Sequence, residues 1–464
     1  MSKDGRSQTA ELLILTGLGL AFIDECVRKS IQDAPVIVTG VKDAFFLLAG
    51  LHILVQLRCV PRKYAKYFVP WVLVSFVSGL WVFGRFQSLL LLGATLRTYT
   101  LTPLLFAVGY YLGRHEEARR RAALVFMIGG LAAILAAILQ EHAKASLPDF
   151  LTIRIYKERH SGTGGDYNES LFASPQTLSH VVMVIAVWSF AALALPHFSR
   201  RRMMAFLILL ASLWGIYLSR IRTAIFAFAA MVFITWLGSW KVETRRREMP
   251  APLMGILLAL ALVCLGCLFY FFAYADLSDS MHTTLAQDAR SYEVLFDREV
   301  LGRRIMVFLW EFTTIPNHDW FFGTGAGLGG RTREFVEIEH LDIPPVRDSG
   351  MFLLYHEVGI LGMMAFLICY GGLTLNCGFR LFARPKPMLA AIPAFALSIG
   401  FLAWFLLKSH TCIANGLSHA LWLGHIGICC GLLDGERPRE PSIASVSATV
   451  LAGKAEDARR PGGS

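Results

Sequence analysis

Apolar stretches of about twenty residues recur along this chain almost from end to end, each long enough to cross a hydrocarbon layer. So many runs cannot be folded into the interior of a water-soluble domain, because only 17% of the 464 residues are charged while 55% are hydrophobic. Mean hydropathy is +0.53. Without water to satisfy backbone groups, such runs must be helical. The expected fold is therefore all-α, a polytopic membrane protein of about twelve transmembrane helices.

The spans are expected near 9–27, 40–57, 67–84, 95–113, 121–140, 171–195, 203–219, 221–240, 252–275, 350–379, 388–407 and 413–433. The first two are the least regular, since one ends in "DECVRK" and the other begins with Lys42 and Asp43. The first apolar stretch lacks a small-residue cleavage site and is followed by further spans, so no cleavable signal peptide is expected. If the N-terminus is cytoplasmic, the basic turns at 58, 114, 200, 241 and 380 all fall on the inner side. The outer side then receives the longer, mixed-charge connections, including one large loop at 276–349. The net charge of +10 reads as a topology signal and an affinity for anionic membrane lipids, with no nucleic-acid surface.

The membrane domain is assigned to 1–433, and the small, polar residues of 434–464 are expected to form a disordered cytoplasmic tail. The nine cysteines fall mostly within spans, where they pack as small apolar residues. Cys264 and Cys267 form a C-x-x-C without other soft ligands, so neither a metal site nor a disulfide framework is expected.

Arg220 and Arg222 interrupt the apolar sequence between two spans, at the external boundary in this topology. A charge in hydrocarbon costs several kcal/mol, so it either reaches the interface or faces a polar cavity. An interfacial anchor is the plain alternative; two forked guanidinium groups side by side suit a phosphate or diphosphate. The large loop adds Arg303 and Arg304 at the start of an amphipathic stretch with Ile305, Phe308, Leu309 and Phe312 on one face. Pro316 and Asn317 end it. "GTGAGLGG" that follows lacks the Lys-Ser or Lys-Thr of a nucleotide loop and reads as a tight turn returning the loop to the membrane. Next come His340, Asp342, Arg347 and Asp348, then His356 and Glu357 about two turns into the next span. Intramembrane ionisable residues are functional candidates, although His356 and Glu357 could equally satisfy each other or a neighbouring helix. The loop at 141–170 carries Arg154, Lys157, Arg159, His160, Asp166 and Tyr167, a mixture suited to sugar contacts or simply to water. His410, His419 and His425 near the last span read as packing or hydrogen-bonding residues.

Three motifs in order resemble the O-antigen ligase and polymerase superfamily: "S-x-x-R-T-A" at Ser219–Ala224; Arg304–Phe308 before a "P…F-G-T-G-x-G" at Pro316–Gly327; and "D-S…G-I-L-G" at Asp348–Gly362. The similarity covers roughly residues 95–380. It implies a GT-C-like bacterial inner-membrane glycosyltransferase with one large periplasmic loop, acting on a polyprenyl-diphosphate-linked oligosaccharide and needing no cofactor or metal. Arg222 and Arg304 match the family arginines and would hold the diphosphate, helped by Arg220 and Arg303; Arg304 would also stabilise the leaving group. Ligases of the family usually carry His-Asn-Ser where this chain has Arg347, Asp348 and Ser349. That departure favours a polymerase joining repeat units of O-antigen, capsule or exopolysaccharide, with Asp348 or His340 as base. Arg347, His356 and Tyr167 are the candidate substrate contacts. Expected partners are the growing glycan acceptor, membrane lipids, and chain-length or export proteins. Ligase-like transfer to a lipid or protein acceptor is the alternative within the family. A transporter of lipid-linked sugar is the alternative outside it, though no internal repeat is evident.

Overall fold

The computed structural model of the protein describes residues 3–30, 36–87, 89, 92–93, 97, 99, 101–142, 170–172, 175–194, 202–219, 221–243, 320–323, 350–383, 389–407 and 416–435. Among these residues there is helix and no strand. In chain order the helices are α1 (Lys3–Ser30), α2 (Val36–Leu51) extended by a π-helical turn (His52–Leu57), and, after a 3-10 turn (Arg62–Tyr64), α3 (Ala65–Phe86). Then follow α4 (Thr102–Arg114), α5 (Glu116–His142), α6 (Pro175–Ala194), α7 (Arg202–Leu218) and α8 (Arg222–Glu243). The C-terminal part holds α9 (Gly350–Phe366), a π-helical turn (Leu367–Gly371), α10 (Gly372–Ala383), α11 (Ala391–Leu407) and α12 (Gly416–Gly435). Helices lie over the stretches expected as spans except 252–275, which falls outside the described residues.

Six of these helical stretches are long and apolar enough to cross a membrane: 40–57, 62–84, 116–141, 176–194, 353–383 and 417–435. The chain is thus a helical, multi-pass membrane protein. Helix α1, with Asp24, Glu25, Arg28 and Lys29 towards its end, is not among the six. Helices α6 and α12 form the centre, with 83% of their spans buried, against 28% for the span of α2 and 33% for that of α3. On the periphery Leu73, Trp81, Leu124 and Phe379 are exposed, as lipid-facing side chains are.

Lipid is as apolar as leucine, so helix association in a membrane depends on close packing. Helix α12 packs most extensively on α4, and glycines set the distance. Gly109 and Gly113 on α4 meet Gly424, Gly427 and Gly431 on α12, each helix presenting a G-x-x-x-G. A Cβ on Gly113 would stand 2.5 Å from the Ile428 carbonyl oxygen, so only glycine permits this approach.

Helix α9 departs from the continuous span expected at 350–379. It breaks at Gly359 (φ 65°, ψ −168°), and two amides beyond the break are taken up by the segment 320–323. Ile360 N donates to Trp320 O at 3.0 Å and Leu361 N to Phe321 O at 3.4 Å. Gly323, also left-handed at φ 77°, lies so close that a Cβ would stand 2.5 Å from the Glu357 carbonyl carbon. Two glycines therefore seat the segment on a broken membrane helix, and the Ile360 and Leu361 amides keep acceptors.

The two ends of the bundle differ. At one, Asp434 gathers Lys63 Nζ (2.7 Å), Arg380 Nη2 (2.5 Å), Tyr64 OH (3.0 Å) and Tyr110 OH (2.9 Å) from three separate segments. Helix α12 thus takes in Asp434 and Gly435, the first two residues of the expected tail; 436–464 lie outside the described residues. At the other end, three of the charges that made the first two spans irregular are paired: Lys42 with Asp24, and Asp43 with Arg97.

Candidate functional site

The interior opposite the Asp434 end holds a connected series of polar side chains. On α3 the Trp71 indole donates to the Tyr99 carbonyl (3.0 Å) and to Thr102 Oγ1 (3.1 Å). The Tyr99 hydroxyl donates to the Glu357 carboxylate, and Ser78 Oγ donates to the Glu357 carbonyl at 3.4 Å. Thr102 Oγ1 lies 3.0 Å from the Tyr370 hydroxyl, which lies 2.6 Å from His419 Nε2. Tyr99, Thr102, Tyr370, Glu357 and His419 are all buried. A hydroxyl has one proton to give, and Thr102 gives its own to the Tyr99 carbonyl at 3.0 Å, so towards Tyr370 it accepts. Tyr370 then donates to Thr102 and accepts from His419 Nε2.

A second arm begins one residue earlier on α12. Ser418 Oγ is 2.7 Å from His180 Nδ1 on α6, whose ring meets Trp404 edge-on at 4.3 Å. Beside it, Ser179 Oγ donates to Ser219 Oγ at 2.8 Å, and Ser219 donates to Ile216 O at 2.6 Å. Ser219 closes α7 and also accepts from the Ile221 amide at 3.4 Å, so it fixes the turn from which α8 starts at Arg222. The helix N-terminus and an arginine then coincide, and both favour an anion.

These contacts connect regions far apart in sequence. They run from the turn before Arg222, through the starts of α6 and α12, to Glu357 on the helix that follows Asp348. Arg222 has a described backbone at the first position of α8, while its side chain lies outside the described residues. Arg220, Arg303, Arg304, His340, Arg347, Asp348 and Tyr167 lie outside them altogether, as do His410 and the loop at 276–349 apart from 320–323. His356 is buried beside Glu357, its ring 6.5 Å from that of Tyr355.

His419 and His425 are hydrogen-bonding residues, as expected. His425 Nδ1 lies 2.6 Å from the Leu421 carbonyl, and Trp188 Nε1 donates to His425 Nε2 at 3.2 Å. With Nε2 accepting, Nδ1 carries the proton. Cys369, Cys377, Cys429 and Cys430 are buried and free, with the Cys377 and Cys430 sulfurs 3.1 Å apart. No group of His, Cys, Asp or Glu among the described residues is arranged to hold a metal ion.

Sequence reasoning did not single out Tyr99, Thr102, Tyr370, His180 or Arg97. A signal was present in "RTYTLT" at 97–102, where hydroxyl groups cluster in an otherwise apolar span. Hydroxyl groups in hydrocarbon are expensive unless paired, so their density marks a polar interior.

No protein-family model matches the chain, and none of the curated proteins matches it.

Proposed function

We propose that the protein is a bacterial inner-membrane polysaccharide polymerase of twelve spans. It joins oligosaccharide repeat units from a polyprenyl-diphosphate donor on the periplasmic face. The observation that supports this most is the polar series leading from the Ser219 turn, beside Arg222, to Glu357 on the helix after Asp348. It brings the surroundings of two of the three resemblance motifs to one end of the bundle. The basic turns around Lys63 and Arg380 collect at the other end, around Asp434, as cytoplasmic turns would.

In this reading an acceptor hydroxyl attacks the anomeric carbon of the donor glycan. The bond from that carbon to the diphosphate oxygen breaks, and Asp348 or His340 takes the hydroxyl proton. Arg222 and Arg304, with Arg220 and Arg303 beside them, hold the departing diphosphate as its charge grows. Arg347, His356 and Tyr167 position the sugar. The Tyr99–Glu357 pair braces the helix that follows Asp348.

The test is incubation of purified protein with a synthetic polyprenyl-diphosphate oligosaccharide, with product sized on a gel. The expected result is a ladder from the wild type, and unextended substrate from a folded Arg222→Ala variant. Full-length polymer from Arg222→Ala would overturn the assignment of the arginine. Unextended substrate from folded wild type, with a lipid or protein acceptor supplied, would overturn both glycan-transfer readings. One observation favours a transporter as second reading: a helix broken at Gly359 beside the buried pair His356 and Glu357. Flux of lipid-linked sugar across proteoliposomes without chain extension would select it.

A further inference from the structure

The segment Trp320–Gly323 was expected to lie in an extramembrane loop, yet its backbone is bonded to an apolar helix at its break. Trp320 O and Phe321 O accept from Ile360 and Leu361, which lie inside the candidate span 353–383. Its rings do not turn into the protein. Trp320, Phe321 and Phe322 are 47%, 39% and 57% exposed, and they pack on one another edge-on, with centroids 5.4 and 4.8 Å apart. An exposed apolar cluster of this kind needs a partner, and its depth identifies one.

Arg380 sits in the Asp434 cluster at the opposite end of the same span. The chain from Gly359 to Arg380 covers roughly 30 Å at about 1.5 Å per helical residue. That is about the thickness of the hydrocarbon layer. Gly359, and the aromatic segment seated on it, therefore lie at the hydrocarbon boundary of the opposite leaflet. Exposed Met364, Leu367 and Ile368 continue the apolar surface from the break along α9 and the π-helical turn. Aromatic rings are favoured at this level, where the indole edge can reach headgroups while the ring remains among acyl chains.

We infer that Trp320, Phe321 and Phe322 form a membrane hook that inserts between phospholipids where the acyl chains meet the headgroups. The hook is tied to the protein by the glycine pair Gly323 and Gly359, so it anchors the large loop to the bilayer at the break in α9. This holds whether or not the protein transfers glycans.

The test is spin labelling of Phe322→Cys in phospholipid nanodiscs, with the unmodified protein as control for native cysteines and Trp320→Cys as a second site. Collision rates of the nitroxide with oxygen and with a water-soluble nickel chelate would be compared. The expected result is an oxygen rate exceeding the nickel rate at both sites, as for a label at exposed Leu367. A nickel rate equal to or above the oxygen rate, as at exposed Glu116, would place the rings in water and overturn the hook. Low rates for both reagents would show that protein covers the cluster and would overturn it equally.

Discussion

The hydroxyl of Tyr99 donates to the carboxylate of Glu357, joining residues 258 positions apart inside the membrane bundle. A carboxyl group in hydrocarbon is costly unless it is partnered. Tyr99 is itself held through its carbonyl by Trp71, so the contact is braced from α3 as well as from α9. Removing either member leaves a buried polar group without this bond. Tyr99→Phe and Glu357→Leu, which removes the acceptor, should each lower the thermal stability of the detergent-solubilised protein. A double-mutant cycle should show a coupling of about 1.5–3 kcal/mol. Additive single effects would show that the two groups do not act on each other.

The glycine seam between α4 and α12 predicts a contrast between two neighbouring positions. A Cβ on Gly427 would collide with backbone of Phe106 and Tyr110, whereas nothing lies within 4 Å of one on Gly424. Gly427→Ala should destabilise by about 1–3 kcal/mol through overpacking, and Gly424→Ala should be close to neutral. Unfolding midpoints of the two variants, compared in the same detergent, check this.

Asp434 predicts a second contrast. Its carboxylate is buried and accepts from four side chains, while Lys63 is 40% exposed. Asp434→Ala should cost about 3–5 kcal/mol, because Arg380 is left beside the gap with its charge uncompensated. Lys63→Ala should cost under about 1 kcal/mol, since water and salt already screen that pair. Equal losses in folded protein for the two variants would contradict the hub.

Cys59 lies in the turn between the spans of α2 and α3, and burial pushes its thiol up from 9.0 to about 11. The thiolate is the reactive form, and it becomes scarcer at a given pH as the pKa rises. At pH 8 alkylation of Cys59 should be roughly 100-fold slower than that of a thiol at the ordinary value. The rate should climb with pH until about 11. Peptide mass spectrometry after timed alkylation at several pH values measures it, and a plateau near pH 9 would contradict the burial.

Much of the architecture was legible in the sequence, because a membrane leaves an apolar run of twenty residues little choice but helix. Composition therefore gave helices close to their observed ends, such as α7 at Arg202–Leu218 against an expected 203–219. The span expected at 221–240 likewise lies over α8 at Arg222–Glu243. The hydrogen-bonding character of His419 and His425 followed from their place in an apolar span.

The break in α9 was not legible, since glycine is ordinary inside membrane helices and "GILG" reads as helix by hydropathy. Only the arrival of Trp320 and Phe321 at the freed amides makes the left-handed turn at Gly359 affordable. Asp434 likewise read as the first residue of a polar tail, because the partners that make it buried come from Lys63, Tyr64, Tyr110 and Arg380. Hydropathy is a local property, so the sequence alone determined which segments enter the membrane. Which polar groups meet inside it depends on helices hundreds of residues apart, and that was decided by tertiary packing.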